Sequence, residues 1–126
     1  MSVIGIGTDI VEINRITSMS EQVLNRLALR VLTDTEYKHY KTIKQPERYL
    51  AKRWAGKEAL SKALGTGIAQ GVSFKHIEIQ TLASGQPTLS LTNKALEVAQ
   101  SLGATKWHIT LSDEVNYATA FVVLSI

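Results

Sequence analysis

Residues Trp54-Ala55-Gly56-Lys57-Glu58-Ala59-Leu60-Ser61-Lys62-Ala63-Leu64-Gly65-Thr66-Gly67 decide how the rest of the chain is arranged. Ala55, Ala59, Leu60, Ala63 and Leu64 recur at helical spacing, with strong helix formers between them. Pro46 suits a first helical turn, where its missing N–H costs nothing. Gly65 suits the end, since glycine adopts the left-handed cap conformation without steric cost. The pattern predicts a long helix over 46–64. At about 100° per residue, Glu58, Ser61, Lys62 and Gly65 fall on one stripe. That stripe carries a carboxylate, a hydroxyl, a cation and a break at which backbone N–H groups are expected to come free. Two readings fit Glu58 and Lys62: an i,i+4 surface pair worth roughly 0.2–0.5 kcal/mol, or part of a site.

Upstream, residues 3–13 are rich in β-branched side chains and predict a buried strand. Gly5 and Gly7 within it mark a bulge or a close approach by another group. Asp9 lies in this apolar run. A buried carboxylate needs a cation, backbone donors or a metal, because leaving it unpaired costs several kcal/mol. Ser18 with Glu21 reads as a capping box, opening a helix whose apolar face is Val23, Leu24, Leu27, Ala28 and Val31. Arg26 and Arg30 lie one turn apart on its polar side. Thr33 with Glu36 is a second capping box, for a short helix through Tyr37 and Tyr40 that ends before Pro46.

Downstream, residues 66–75 form a connecting loop. Ile77 and Ile79 alternate with polar residues, as do Leu89 and Leu91, and Ser84-Gly85-Gln86-Pro87 between them is turn chemistry, so a hairpin is expected. A helix follows over 93–102, with Thr92 as cap and Gly103 at its end. Strands close the chain at 107–112 and 117–126, separated by a turn at 114–116. Helices mixed with hairpin strands, without a repeat or linker, predict one α+β domain over residues 1–126 in which an antiparallel sheet packs on the long helix.

Composition narrows the classes. The chain has 126 residues, 44% hydrophobic and 20% charged, enough for a core of its own. No apolar run reaches the roughly 20 residues of a membrane span, and no signal peptide is evident. The absence of cysteine excludes disulfides, thiolate zinc sites and cysteine nucleophiles, and suits a reducing, cytoplasmic setting. A net charge of +3 fits an acidic partner or a phosphorylated ligand. Few aromatics and no basic run argue against nucleic acid.

Asp9, Glu58 and His108 are thus the polar positions set in structured, apolar surroundings. Two carboxylates from separate elements suit magnesium, which keeps most of its waters and takes one or two carboxylates with ligand phosphates. Lys57, Lys62 and the amides of Gly65, Thr66 and Gly67 would serve phosphates. His108 suits a phosphate contact, a general base or a structural hydrogen bond. These residues alone support a divalent-metal site for a phosphorylated ligand, without deciding between catalysis and binding.

Gly5-Ile6-Gly7-Thr8-Asp9-Ile10-Val11-Glu12, the 54–67 stretch, Gly85-Gln86-Pro87 and His108-Ile109-Thr110-Leu111-Ser112 together resemble the ordered motifs of the short bacterial-type 4′-phosphopantetheinyl transferases, the holo-[acyl-carrier-protein] synthases. The resemblance spans essentially the whole chain. It implies transfer of the 4′-phosphopantetheine arm of coenzyme A to a serine of apo-acyl carrier protein, with release of adenosine 3′,5′-bisphosphate. It implies Asp9 and Glu58 as magnesium ligands and Lys62 on the coenzyme's phosphates. His108 falls in the binding cleft, with Ser61, Thr66 and Thr110 among the coenzyme contacts. The proton acceptor stays open between a carboxylate, directly or through bound water, and His108. Carrier contacts fall on the early helical region, where Arg15, Arg26 and Arg30 lie. The assembly implied is a homotrimer with active sites at subunit boundaries. Two positions depart from the common pattern: Gln86, where many relatives have Lys or Arg, and Asp113, where many have His.

Overall fold

The computed structural model describes residues 2–126. Its elements are β1 (Val3–Glu12), α1 (Ile13–Thr17), α2 (Glu21–Val31), α3 (Asp34–Tyr40), α4 (Pro46–Leu64), a 3₁₀ turn (Phe74–His76), β2 (Ile77–Thr81), β3 (Pro87–Leu91), α5 (Asn93–Ser101), β4 (Lys106–Asp113) and β5 (Tyr117–Ser125). Helices and antiparallel strands mix as the α+β reading expects. A three-stranded sheet runs β1-β5-β4, and β2 and β3 form a separate hairpin. The first and last strands therefore pair, with Asp9 opposite Ala120 and His108 opposite Val123.

The α4 helix crosses one face of the three-stranded sheet. Sequence dictates that contact. A Cβ on Gly7 would stand 1.9 Å from the Ala59 carbonyl oxygen, and one on Gly5 would stand 2.4 Å from that of Ala63. Only glycine lets β1 approach the helix backbone so closely. The face beneath the helix is small or aliphatic, with Ala118, Ala120, Val122 and Leu124 all buried. On the hairpin side, Ile79, Ile109 and Leu111 close over Gly56. The Trp107 indole N–H donates to the Leu89 carbonyl at 3.2 Å and ties the hairpin to β4.

Several local readings are corrected. Ser18 caps nothing at the start of α2; Ser20 is the N-cap, accepting from the Val23 N–H. The Thr33–Glu36 capping box is present. Thr92 stands at the N-cap of α5, but its hydroxyl donates to the His76 carbonyl instead of capping. The first strand is not buried on both sides. Val3, Ile6 and Ile10 are exposed on the sheet face turned away from α4.

Candidate functional site

Asp9 sits on the face of β1 turned toward α4, opposite Ala120. Its carboxylate receives the Lys62 ammonium at 2.9 Å, and the same ammonium donates to the Thr8 carbonyl at 2.9 Å. Glu58, one turn before Lys62, is half-buried on the same stripe. Burial pushes its carboxyl above the usual range, and the neighbouring Asp9 charge pushes it further; Lys62, Arg30 and Trp54 act against both. Strand and helix therefore bring Asp9, Glu58 and Lys62 together.

The donor set fits a hard divalent cation. Two carboxylates that repel one another already have an ammonium standing in as counter-charge. Among the described residues, no group of three or more His, Asp or Glu side chains could hold a metal. A magnesium ion needs fewer protein ligands when waters and ligand phosphates complete its shell.

Other expected contacts are elsewhere. Lys57 is fully buried, and its ammonium donates to Glu36 Oε1 at 2.6 Å, the Val31 carbonyl at 2.7 Å and the Phe74 carbonyl at 3.3 Å. All three protons are used, so Lys57 is not available to a phosphate. Burial pushes its ammonium's pKa down against the pull of Glu36. Ser61 is also fully buried, donating to the Glu58 carbonyl at 2.7 Å. The break after α4 offers no spare donors. The Gly65 N–H donates to the Lys62 carbonyl, and those of Thr66 and Gly67 to the Ser61 carbonyl. The loop closes a helix C-terminus, whose dipole end is negative and disfavours a phosphate.

His108 and Thr110 alternate onto the opposite face of the sheet, beside Val123 and Phe121. His108 Nε2 lies 3.3 Å from Ser125 Oγ. Within one chain, the sheet separates this pair from Asp9 and Glu58.

The arginines divide. The Arg15 guanidinium sits 5.3 Å from the Trp54 ring centroid, and that of Arg30 sits 5.5 Å from the Phe74 ring. Trp54 and Glu58 are one turn apart on α4, so Arg15 borders the carboxylate stripe, and Arg30 lies close enough for its charge to act on Glu58. Arg26 is exposed one turn before Arg30.

Sequence reasoning missed a basic cleft of about 590 Å³ lined by His39, Lys44, Arg48, Tyr49, Lys52 and Arg53. Arg53 is 8% exposed, lies 4.4 Å over the Tyr49 ring and donates to Thr81 Oγ1, while its Nε has no partner. The signal was available in the i,i+4 and i,i+5 spacing of Arg48, Lys52 and Arg53. Asp113 lies nearby, 2.7 Å from Arg48 and 3.4 Å from Lys52.

A profile of the 4′-phosphopantetheinyl transferase superfamily matches residues 5–122. The holo-[acyl-carrier-protein] synthase of Shewanella frigidimarina is 52% identical over 98% of both chains. That of Hydrogenovibrio crunogenus is 50% identical over 96% of this chain and 95% of its own. The crystal structure of the Neisseria meningitidis synthase superposes with a TM-score of 0.89 at 38% identity, covering 99% of this chain and 100% of that one. The Helicobacter pylori synthase, solved in complex with coenzyme A, superposes with a TM-score of 0.81 at 30% identity, covering 95% and 99%.

Proposed function

From the premise that the chain belongs to the 4′-phosphopantetheinyl transferase superfamily, we propose that Asp9, Glu58 and Lys62 carry the reaction of a holo-[acyl-carrier-protein] synthase. The enzyme transfers the 4′-phosphopantetheine arm of coenzyme A to a serine of apo-acyl carrier protein. The serine oxygen bonds to the phosphorus that bears pantetheine. The bridging P–O bond breaks, and its electron pair leaves on adenosine 3′,5′-bisphosphate. The serine proton passes to a base.

The convergence of Asp9, Glu58 and Lys62 supports the chemistry. Asp9 and Glu58 would hold Mg²⁺, which supplies charge neutralisation to the pyrophosphate and the leaving group. Lys62 is half exposed and offers its ammonium to the same phosphates.

His108 and Thr110 join such a site only across a subunit boundary. The outward sheet face supports that reading, since Ile6, Ile10 and Phe121 are exposed there at 62%, 60% and 44%. Apolar surface of this kind on a sheet is ordinarily covered. A homotrimer is the assembly implied by the family, and the coenzyme would lie between its subunits. The basic cleft around Arg53 adds a second place for phosphate charge. No helix among the described residues is long and apolar enough to cross a membrane, and we place the enzyme in the cytoplasm.

Mass spectrometry of apo-carrier incubated with coenzyme A and Mg²⁺ tests the function. The expected result is carrier heavier by one arm, with equimolar adenosine 3′,5′-bisphosphate. Carrier of unchanged mass, with coenzyme A still bound by the protein, would instead make the chain a non-catalytic phosphate-binding module.

A further inference from the structure

The Lys62 ammonium holds two acceptors of β1 at once, Asp9 Oδ1 and the Thr8 carbonyl, each at 2.9 Å. It thereby occupies one of the two Asp9 carboxylate oxygens and sets a positive charge beside the carboxylate that a divalent cation would need. It also moderates the repulsion between Asp9 and Glu58. The same ammonium is the cation on this stripe free to meet a phosphate, since Lys57 is enclosed in the core. One ammonium cannot neutralise Asp9 and a pyrophosphate in two places. Its side chain is 52% exposed, so it swings away without opening the core, and the exposed pair it leaves is weak.

Resting on the reading of Asp9 and Glu58 as cation ligands, we propose that Lys62 is an internal counter-ion of Asp9, displaced by an incoming divalent cation and thereby released to the phosphates. Cation and phosphate binding then reinforce each other, because each loosens the hold of Lys62 on Asp9. Without phosphate, Lys62 opposes the cation. Its neutral replacement therefore tightens metal binding, although it removes a positive residue the reaction uses.

The test titrates Mn²⁺ alone, without coenzyme, into the metal-free protein and reads free Mn²⁺ by its electron paramagnetic resonance signal. Lys62→Met and Lys62→Gln are expected to bind about threefold tighter than wild type, the upper part of what an exposed ion pair is worth. Lys62→Arg keeps the charge and is expected to show no gain. Asp9→Asn is expected to bind about tenfold or more weakly, since an amide is a poor substitute for a carboxylate on a hard cation. If neither neutral variant binds tighter while Asp9→Asn loses Mn²⁺, the counter-ion proposal is overturned and the cation site stands. Wild-type affinity in Asp9→Asn overturns the cation site, and the proposal with it.

Discussion

Gly7 sets the position of Asp9 by what it lacks. The atom that a Cβ would strike is the Ala59 carbonyl oxygen, which is helix backbone and cannot swing aside. A methyl group there must separate β1 from α4, and Asp9, two residues on and facing the same way, moves with it. Gly7→Ala is expected to cost about 3 kcal/mol or more, at the upper end of overpacking effects. It should also lower activity per folded molecule; urea unfolding at fixed protein concentration, beside assay of the folded fraction, measures both. Asp113 is a milder case. Arg48 holds its carboxyl below the ordinary range through a 2.7 Å hydrogen bond, with Lys52 assisting. Its folded pKa is depressed, so its stabilisation is present above the unfolded value of about 3.9 and is lost as pH falls through the lower folded value. Asp113→Asn is expected to be less stable than wild type by about 0.5–1 kcal/mol at pH 7. The two melting curves should converge only at pH below the ordinary carboxylate range. A gap that persists there would assign the loss to packing.

At the scale of elements, α4 is where the sequence was most and least legible. Its span, the Pro46 start and the Gly65 cap at φ 80° follow from local chemistry, and they appear as expected. Local spacing also placed Glu58 and Lys62 on one stripe. What it could not supply was the side of the helix that meets the core. Lys57 and Ser61 carry polar atoms, which suggested a ligand, yet both are buried. The partner that makes burial of Lys57 tolerable, Glu36, was read only as a cap. Glu36 does cap α3 through the Thr33 N–H, and it also accepts from Lys57 and from the Ile79 N–H. Nothing in the spacing of residues 36, 57 and 79 announces that meeting. The pairing of β1 with β5 is equally non-local, and it is what sends Asp9 and His108 to opposite faces. A structural role for Lys57 makes a specific prediction. Lys57→Met should destabilise by about 3–5 kcal/mol, because Glu36 is left charged in the core without its counter-ion. The folded fraction, titrated with coenzyme A, should keep near wild-type affinity. An affinity loss without a stability loss would return Lys57 to the phosphates.

The sheet carries the proposed site residues on both faces, Asp9 on one and His108 on the other, and one site must draw on both. In an assembly whose subunits abut at the outward sheet face, each site would take Asp9 and Glu58 from one chain and His108 from its neighbour. Mixed oligomers of Glu58→Gln and His108→Ala subunits, each inactive alone, should then regain part of the wild-type rate, since some boundaries would carry both native residues. No recovery after verified subunit mixing would confine the site to one chain. The carrier must reach the same boundary. The family resemblance implies an acidic partner, and the arginines that flank the carboxylate stripe are Arg15, over Trp54, and Arg30, over Phe74. Arg15 lies on α1, the short helix that follows the strand carrying Asp9, and it is exposed. Charge reversal there, Arg15→Glu, is expected to weaken apparent carrier affinity by about 1–3 kcal/mol if the contact is a close charge pair. Arg26, farther out on α2, should have a smaller effect, chiefly on encounter rate. Salt should shrink both effects as the charges are screened. Coenzyme A affinity is the internal control and should barely change. Apparent affinities for both substrates across a salt series decide the matter. A wild-type carrier affinity and salt slope in Arg15→Glu would mean that Arg15 serves only to brace Trp54.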